Sequence, residues 1–171
     1  VSVCMGIYRA TVVRDYAVRF LSEREYLSED ILFNVHLLVK CNRVASLSKS
    51  FYNYCCNEGS LTQTFKESKI ECNFRLYETI SKCLTENGMA DITVMAKSLM
   101  LDYTVWLMKM LLLSEKSYTE KRRLCNEIFD YHEWGNVAKA LYSLPSVKPA
   151  KRLLLFLITH KMVVSSYLFF N

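Results

Sequence analysis

Phe65-Lys66-Glu67-Ser68-Lys69-Ile70-Glu71-Cys72-Asn73-Phe74-Arg75-Leu76-Tyr77-Glu78-Thr79-Ile80-Ser81-Lys82-Cys83-Leu84 is the stretch that decides the fold. Its apolar residues Phe65, Ile70, Phe74, Tyr77, Ile80 and Leu84 recur every three to five positions. That spacing puts them on one side of an α-helix, whereas a half-buried strand alternates every second residue. Gly88 supplies a C-terminal stop. The same texture runs onward. Asp91 is read as the cap of a next helix, with Ile92, Met95, Leu99, Tyr103, Trp106 and Met110 on one face. Ser117 and Glu120 fit a capping box, in which hydroxyl and carboxylate each satisfy a backbone N–H of the other. The helix they open carries Leu124, Ile128 and Tyr131. Residues 137–144 form a short helix that stops at Pro145. Pro149 suits the first position of a last helix running to about residue 169.

Upstream of this stretch the texture changes. Residues 1–7 are β-branched and apolar and read as a short buried strand. Residues 8–16 suit a short helix, and the charged residues 21–27 a loop. Ser28 is a plausible N-cap for an amphipathic helix carrying Ile31, Leu32, Val35, Leu38 and Val39. Residues 44–54, with Phe51, Tyr52 and Tyr54, favour a strand, and Asn57-Glu58-Gly59-Ser60 a turn. The expected fold is predominantly α with a few short strands, divided into residues 1–65 and a helical region at 66–171.

The 171 residues suit one domain, or one domain with an extension. A hydrophobic fraction of 51% and a charged fraction of 23% supply a core and exclude disorder. Only 4 Gly and 2 Pro leave little material for the tight turns of a barrel or sandwich. The net charge of +5 is modest. It is dispersed apart from Lys121-Arg122-Arg123 and residues 148–152, short of the basic stripe that nucleic acid requires. The 7 cysteines have no Cys-x-x-Cys spacing, so neither a disulfide framework nor a zinc site is indicated. They are read as small core residues in a reducing, cytoplasmic compartment. Asp102 and Lys109 interrupt one apolar run, and His160 and Lys161 another, so neither offers the roughly 20 apolar residues of a membrane span. The last helix, basic at its start, suits packing on its neighbours or contact at a membrane surface. The chain opens Val1-Ser2-Val3, with no initiator Met and no signal-peptide pattern, and is expected to be a piece of something longer.

The segment that carries chemistry is Ser28-Glu29-Asp30-Ile31-Leu32-Phe33-Asn34. Acids in the first turn of a helix face unpaired backbone N–H groups and the positive end of its dipole. A carboxylate placed there serves helix capping. It also suits accepting a proton from a substrate hydroxyl. Its neighbours come in a particular order: Tyr8-Arg9, then Phe20-Leu21-Ser22-Glu23-Arg24-Glu25, then Glu29-Asp30, then Phe51-Tyr52-Asn53-Tyr54, then Asn57 and Ser60-Leu61-Thr62. That order resembles the family 2 glycosyltransferases of bacterial capsule, exopolysaccharide and lipopolysaccharide synthesis. The resemblance covers residues 4–65. Beyond them it is textural, a helical C-terminal extension of the kind such enzymes carry.

The resemblance implies the acceptor-side remnant of a GT-A fold that transfers a sugar from a nucleotide-sugar with inversion. It implies Asp30 as the catalytic base, with Glu29 orienting the acceptor or holding the helix start. Arg24 and Ser60 are the candidate substrate contacts, with Thr62 beside them. Relatives commonly place Arg after the Tyr-x-Tyr strand. Here Cys55 stands there, which removes that contact or moves it elsewhere. The chain has no Asp-x-Asp and no Gly-rich phosphate loop. Its histidines, His36, His132 and His160, lie far apart, and His36 reads as structural. The donor site, with its divalent Mn or Mg, is therefore expected in a missing N-terminal half of the same protein. This chain is expected to hold no cofactor and to be inactive alone. The expected acceptor is a saccharide or a lipid-linked one, and the expected location is the cytoplasm, at the inner face of the membrane. The alternative is a helical interaction or membrane-docking module without catalysis, resting on Trp106, Trp134 and the many Met and Leu residues. A self-contained hydrolase lacks a second acid at a defined place.

Overall fold

The computed structural model describes residues 2–49, 51–53, 55 and 64–162. Among these are seven α-helices and no strand. They are α1 (Ala10–Asp15), α2 (Glu29–Leu38), α3 (Ser68–Glu86), α4 (Thr93–Leu113), α5 (Tyr118–Phe129), α6 (Trp134–Tyr142) and α7 (Pro149–Thr159). The fold is predominantly α, as the periodicity predicts. The two expected strands are corrected. Within residues 1–7 the chain instead forms a 3-10 turn at Val3–Met5, with Met5 and Ile7 exposed. The described part of 44–54 is irregular, and Val44, Leu47 and Phe51 stand in solvent. β-Branched and aromatic residues make a strand only where a neighbouring strand completes the ladder.

Helix α4 is the hub. It packs along α3 and against α5 and α6, while α7 lies on α6 and α2 on α3. Ala96, Met100, Leu101, Leu107, Met108 and Leu111 of α4 are all buried, Leu111 completely. Burying each such large side chain stabilises the fold by roughly 1.5–3 kcal/mol. This face lies one residue further along the chain than the sequence reading placed it. Met95 and Ile92 are exposed, and Leu99, Tyr103, Trp106 and Met110 only partly covered. Helix α4 is apolar nearly all round, so its neighbours, and not its own pattern, choose the buried side. Across the α3–α4 contact lies one buried polar pair. Asn73 Nδ2 donates to Thr104 Oγ1 at 3.0 Å, and Thr104 Oγ1 donates to the Met100 carbonyl at 2.9 Å.

Helix α2 is a wedge between two apolar clusters. Leu32 joins the main core, while Phe33 and Leu37 pack with Val18, Val12, Val13, Tyr8 and Val3. That division leaves Leu38 exposed, contrary to its place in the predicted stripe. Cys72 and Cys125 are buried as expected, but Cys4 and Cys55 are exposed.

Local signals set several helix ends. Ser117 Oγ and Glu120 form the expected capping box, and Pro149 opens α7. Asp91 does not cap α4. It sits inside a 3-10 turn, Ala90–Ile92, and Ile92 takes the cap position. At the end of α3, the Met89 N–H donates to the Leu84 carbonyl at 2.8 Å and Gly88 N–H to Thr85 at 3.1 Å. Gly88 is left-handed there, at φ 74°, which completes a Schellman turn. The same pair of bonds closes α1, with Ala17 at φ 49°, and α7, with Lys161 at φ 52°. A left-handed residue with a Cβ costs about 1–2 kcal/mol relative to the right-handed form. Helix α7 thus stops ten residues short of the predicted end, and residues 163–169 of that reading lie outside the described residues. Ala17→Gly relieves the strain at the end of α1. The variant is expected to gain about 0.5–1 kcal/mol in urea unfolding, and an unchanged midpoint would show that Ala17 carries no strain.

Candidate functional site

The N-terminus of α2 is built from three directions. Ser28 occupies the N-cap position, but its side chain makes no cap bond. Tyr103 of α4 lies beside it. Asp30, in the first turn, is partly exposed. Its Oδ2 accepts from Ser2 Oγ at 2.7 Å and from the Val3 N–H at 3.3 Å. Its Oδ1 accepts no hydrogen bond from the described residues. A carboxylate offers about four lone-pair sites, so Asp30 is held by one oxygen and presents the other. Tyr8 closes the side. Its hydroxyl donates to Asn34 Oδ1 at 2.8 Å and lies 3.2 Å from the Val3 carbonyl. The Tyr8 ring meets Phe33 edge-on, and Phe20 stacks on Phe33 with centroids 4.3 Å apart.

The carboxylates mark their surroundings electrostatically. Burial pushes the Tyr103 hydroxyl above its ordinary range, and the charges of Glu29 and Asp30 add to the rise. The Tyr8 hydroxyl is raised for the same two reasons, burial first and the Asp30 charge second. Both tyrosines therefore stay protonated at neutral pH and serve as donors beside the acids.

The other predicted residues are dispersed. Glu29 is partly exposed next to Asp30. Arg24 is exposed, and no ion pair joins it to either acid among the described residues. Its carbonyl instead accepts from Cys72 Sγ at 3.4 Å. Ser60 and Thr62 lie outside the described residues. His132 and His160 are exposed, far from α2 in sequence. Among the described residues no three His, Cys, Asp or Glu side chains assemble a metal site. Glu29 and Asp30 alone do not make one, so no step is routed through a metal here. No protein-family model, curated protein or solved structure matches the chain.

Sequence reading missed two features. One is Tyr103, which carries no local signal because it lies in a helix far along the chain. The other is a cavity of about 300 Å³ at the opposite end of α2, lined by residues that include Arg19, His36, Lys40 and Asn87. His36 is half-buried. Burial, and next the Lys40 charge, pull its imidazole below the ordinary 6.5. The unfolded chain therefore takes up a proton near 6.5 that the folded chain refuses until lower pH. Stability is expected to fall as pH drops through that window. Urea midpoints measured from pH 8 to pH 5 should show a steeper loss for the parent chain than for His36→Gln. Parallel curves would mean that His36 is fully solvated.

Proposed function

We propose that the chain is the acceptor-side part of an inverting glycosyltransferase, with residues 1–65 contributing to the catalytic domain and 66–171 forming a helical buttress. The single observation that carries this reading is the hold on Asp30. One carboxylate oxygen is anchored by Ser2 and Val3, and the other accepts no hydrogen bond from the described residues, at the start of α2. A general base needs that combination of fixed position and free lone pair. The order of motifs around Glu29-Asp30 supplies the reaction class.

In this reading Asp30 Oδ1 takes the proton of an acceptor hydroxyl as that oxygen attacks the anomeric carbon. The nucleoside diphosphate leaves from the opposite face, which inverts the centre. Glu29 and the protonated Tyr103 orient the acceptor sugar. The donor nucleotide-sugar and its divalent metal, Mn or Mg, are held by a segment bearing Asp-x-Asp, outside these 171 residues. Arg24 and Ser60 remain candidate acceptor contacts, and the acceptor is a saccharide, free or lipid-linked. The setting is cytoplasmic, at the inner membrane face.

In a protein that carries both halves, Asp30→Asn is expected to lower kcat by at least about a hundredfold, with nucleotide-sugar binding retained. If Asp30→Asn lowers thermal stability and leaves kcat intact, Asp30 is an anchor for the N-terminal turn and nothing more.

One observation favours a second reading, a helical module that docks on membranes without catalysis. Leu153 and Phe156 project from α7 at 51% and 43% exposure, and Lys148, Lys151 and Arg152 flank its first turn. Such a face suits lying on an anionic surface. No helix among the described residues is long and apolar enough to cross a membrane. Under this reading the chain co-sediments with phosphatidylserine vesicles, and Leu153→Glu with Phe156→Glu releases it. Equal sedimentation of both forms counts against it.

A further inference from the structure

The cavity at the C-terminal end of α2 has a charge pattern that the fold itself does not require. It is formed where the segment after α1 crosses the ends of α2 and α3. Tyr16 and Arg19 come from the first, His36 and Lys40 from the second, Cys83 and Asn87 from the third. Two cationic side chains and an imidazole line one space of about 300 Å³, and no carboxylate lines it. Glu86, whose charge reaches Cys83, pairs with Lys82 at 3.9 Å.

Cations often gather at helix C-termini to satisfy the last carbonyls. Here the backbone already does much of that work. The Val35, Leu37 and Leu38 carbonyls accept from the Val39, Lys40 and Cys41 N–H groups, and the Cys83, Leu84 and Thr85 carbonyls from Asn87, Met89 and Gly88. Lys40 gives one N–H to Asn87 Oδ1 at 2.9 Å, and Arg19 Nη1 gives one to the Val18 carbonyl at 3.0 Å. An ammonium has three donors and a guanidinium five, so each cation is positioned by one bond and keeps others for a ligand. His36, lowered by burial, is a neutral imidazole at pH 7 and adds a donor without adding repulsion. A guanidinium fork beside an ammonium matches tetrahedral oxyanions.

We propose that this cavity binds the phosphate or diphosphate group of a small anionic ligand, with Arg19 and Lys40 as its charged contacts and His36 as a further donor. The assignment does not depend on the transfer reading, since Asp30 lies at the other end of α2 and plays no part in it. Two sources supply such a group, a soluble phosphorylated molecule and a lipid headgroup.

The test titrates the full chain with inorganic pyrophosphate and, separately, with vesicles containing phosphatidic acid. The readouts are the His36 ring resonances and calorimetric affinity. Saturable movement of the His36 resonances with pyrophosphate is expected. Arg19→Gln with Lys40→Gln should weaken binding at least tenfold, while Lys109→Gln with Lys139→Gln, the same charge loss elsewhere, should leave it within twofold. A response to the vesicles alone, lost in the Arg19/Lys40 variant, assigns the lipid source. No saturable change at His36 with either probe overturns the proposal. Equal weakening by the two double variants does so too, because binding then follows net charge alone.

Discussion

Helix α4 cannot be left at the surface. Apolar side chains surround most of its axis, and only a bundle closed around it removes them from water. Helices α3, α5 and α6 do this directly, and α7 and α2 are layered on outside. Packing of this kind is non-directional and tolerates sliding. The Asn73–Thr104 hydrogen bond does not, because it is buried and moving either partner by one turn would strand both groups without water. The pair therefore fixes the register of the two longest helices, and the rest of the bundle inherits it.

What was legible in the sequence was what the sequence encodes locally. The periodicity of α3, the Ser117–Glu120 box, the Gly88 stop and the Pro149 start each depend on residues within a turn of one another, and each is present. What failed depended on distant partners. Val3 and its neighbours have strand-forming side chains, but the described residues offer no second strand for them, so they turn and dock on Asp30. Asp91 has the right chemistry to cap a helix, yet a 3-10 turn absorbs it. The left-handed ends at Ala17 and Lys161 carry no glycine to announce them.

The candidate site divides in the same way. Glu29 and Asp30 at the head of α2 were readable as acids in a first turn. That Tyr103 would stand close to both acids was not, since it reaches them from across the bundle. The basic cavity was invisible for a related reason. Arg19, His36 and Lys40 are ordinary singly, and only the crossing of the segment after α1 over the ends of α2 and α3 brings them to one space.

The pairing of helices has a kinetic side. Helix α3 meets α4, α4 meets α5, and α6 meets α7, all neighbours in sequence, and contacts closed over short connections form quickly. Helix α2 has the longest connection to its partner, since residues 39–67 separate it from α3. Closing a connection costs about 0.6 kcal/mol more for each doubling of its length, and the reward is mainly the burial of Leu32 in the main core. The bundle and the N-terminal end thus rest on different amounts of burial, the end on Leu32 in the main core and on the small cluster of Val18, Phe33 and Leu37. Glu29, Asp30 and His36 all ride on the element that the longest connection ties to the bundle.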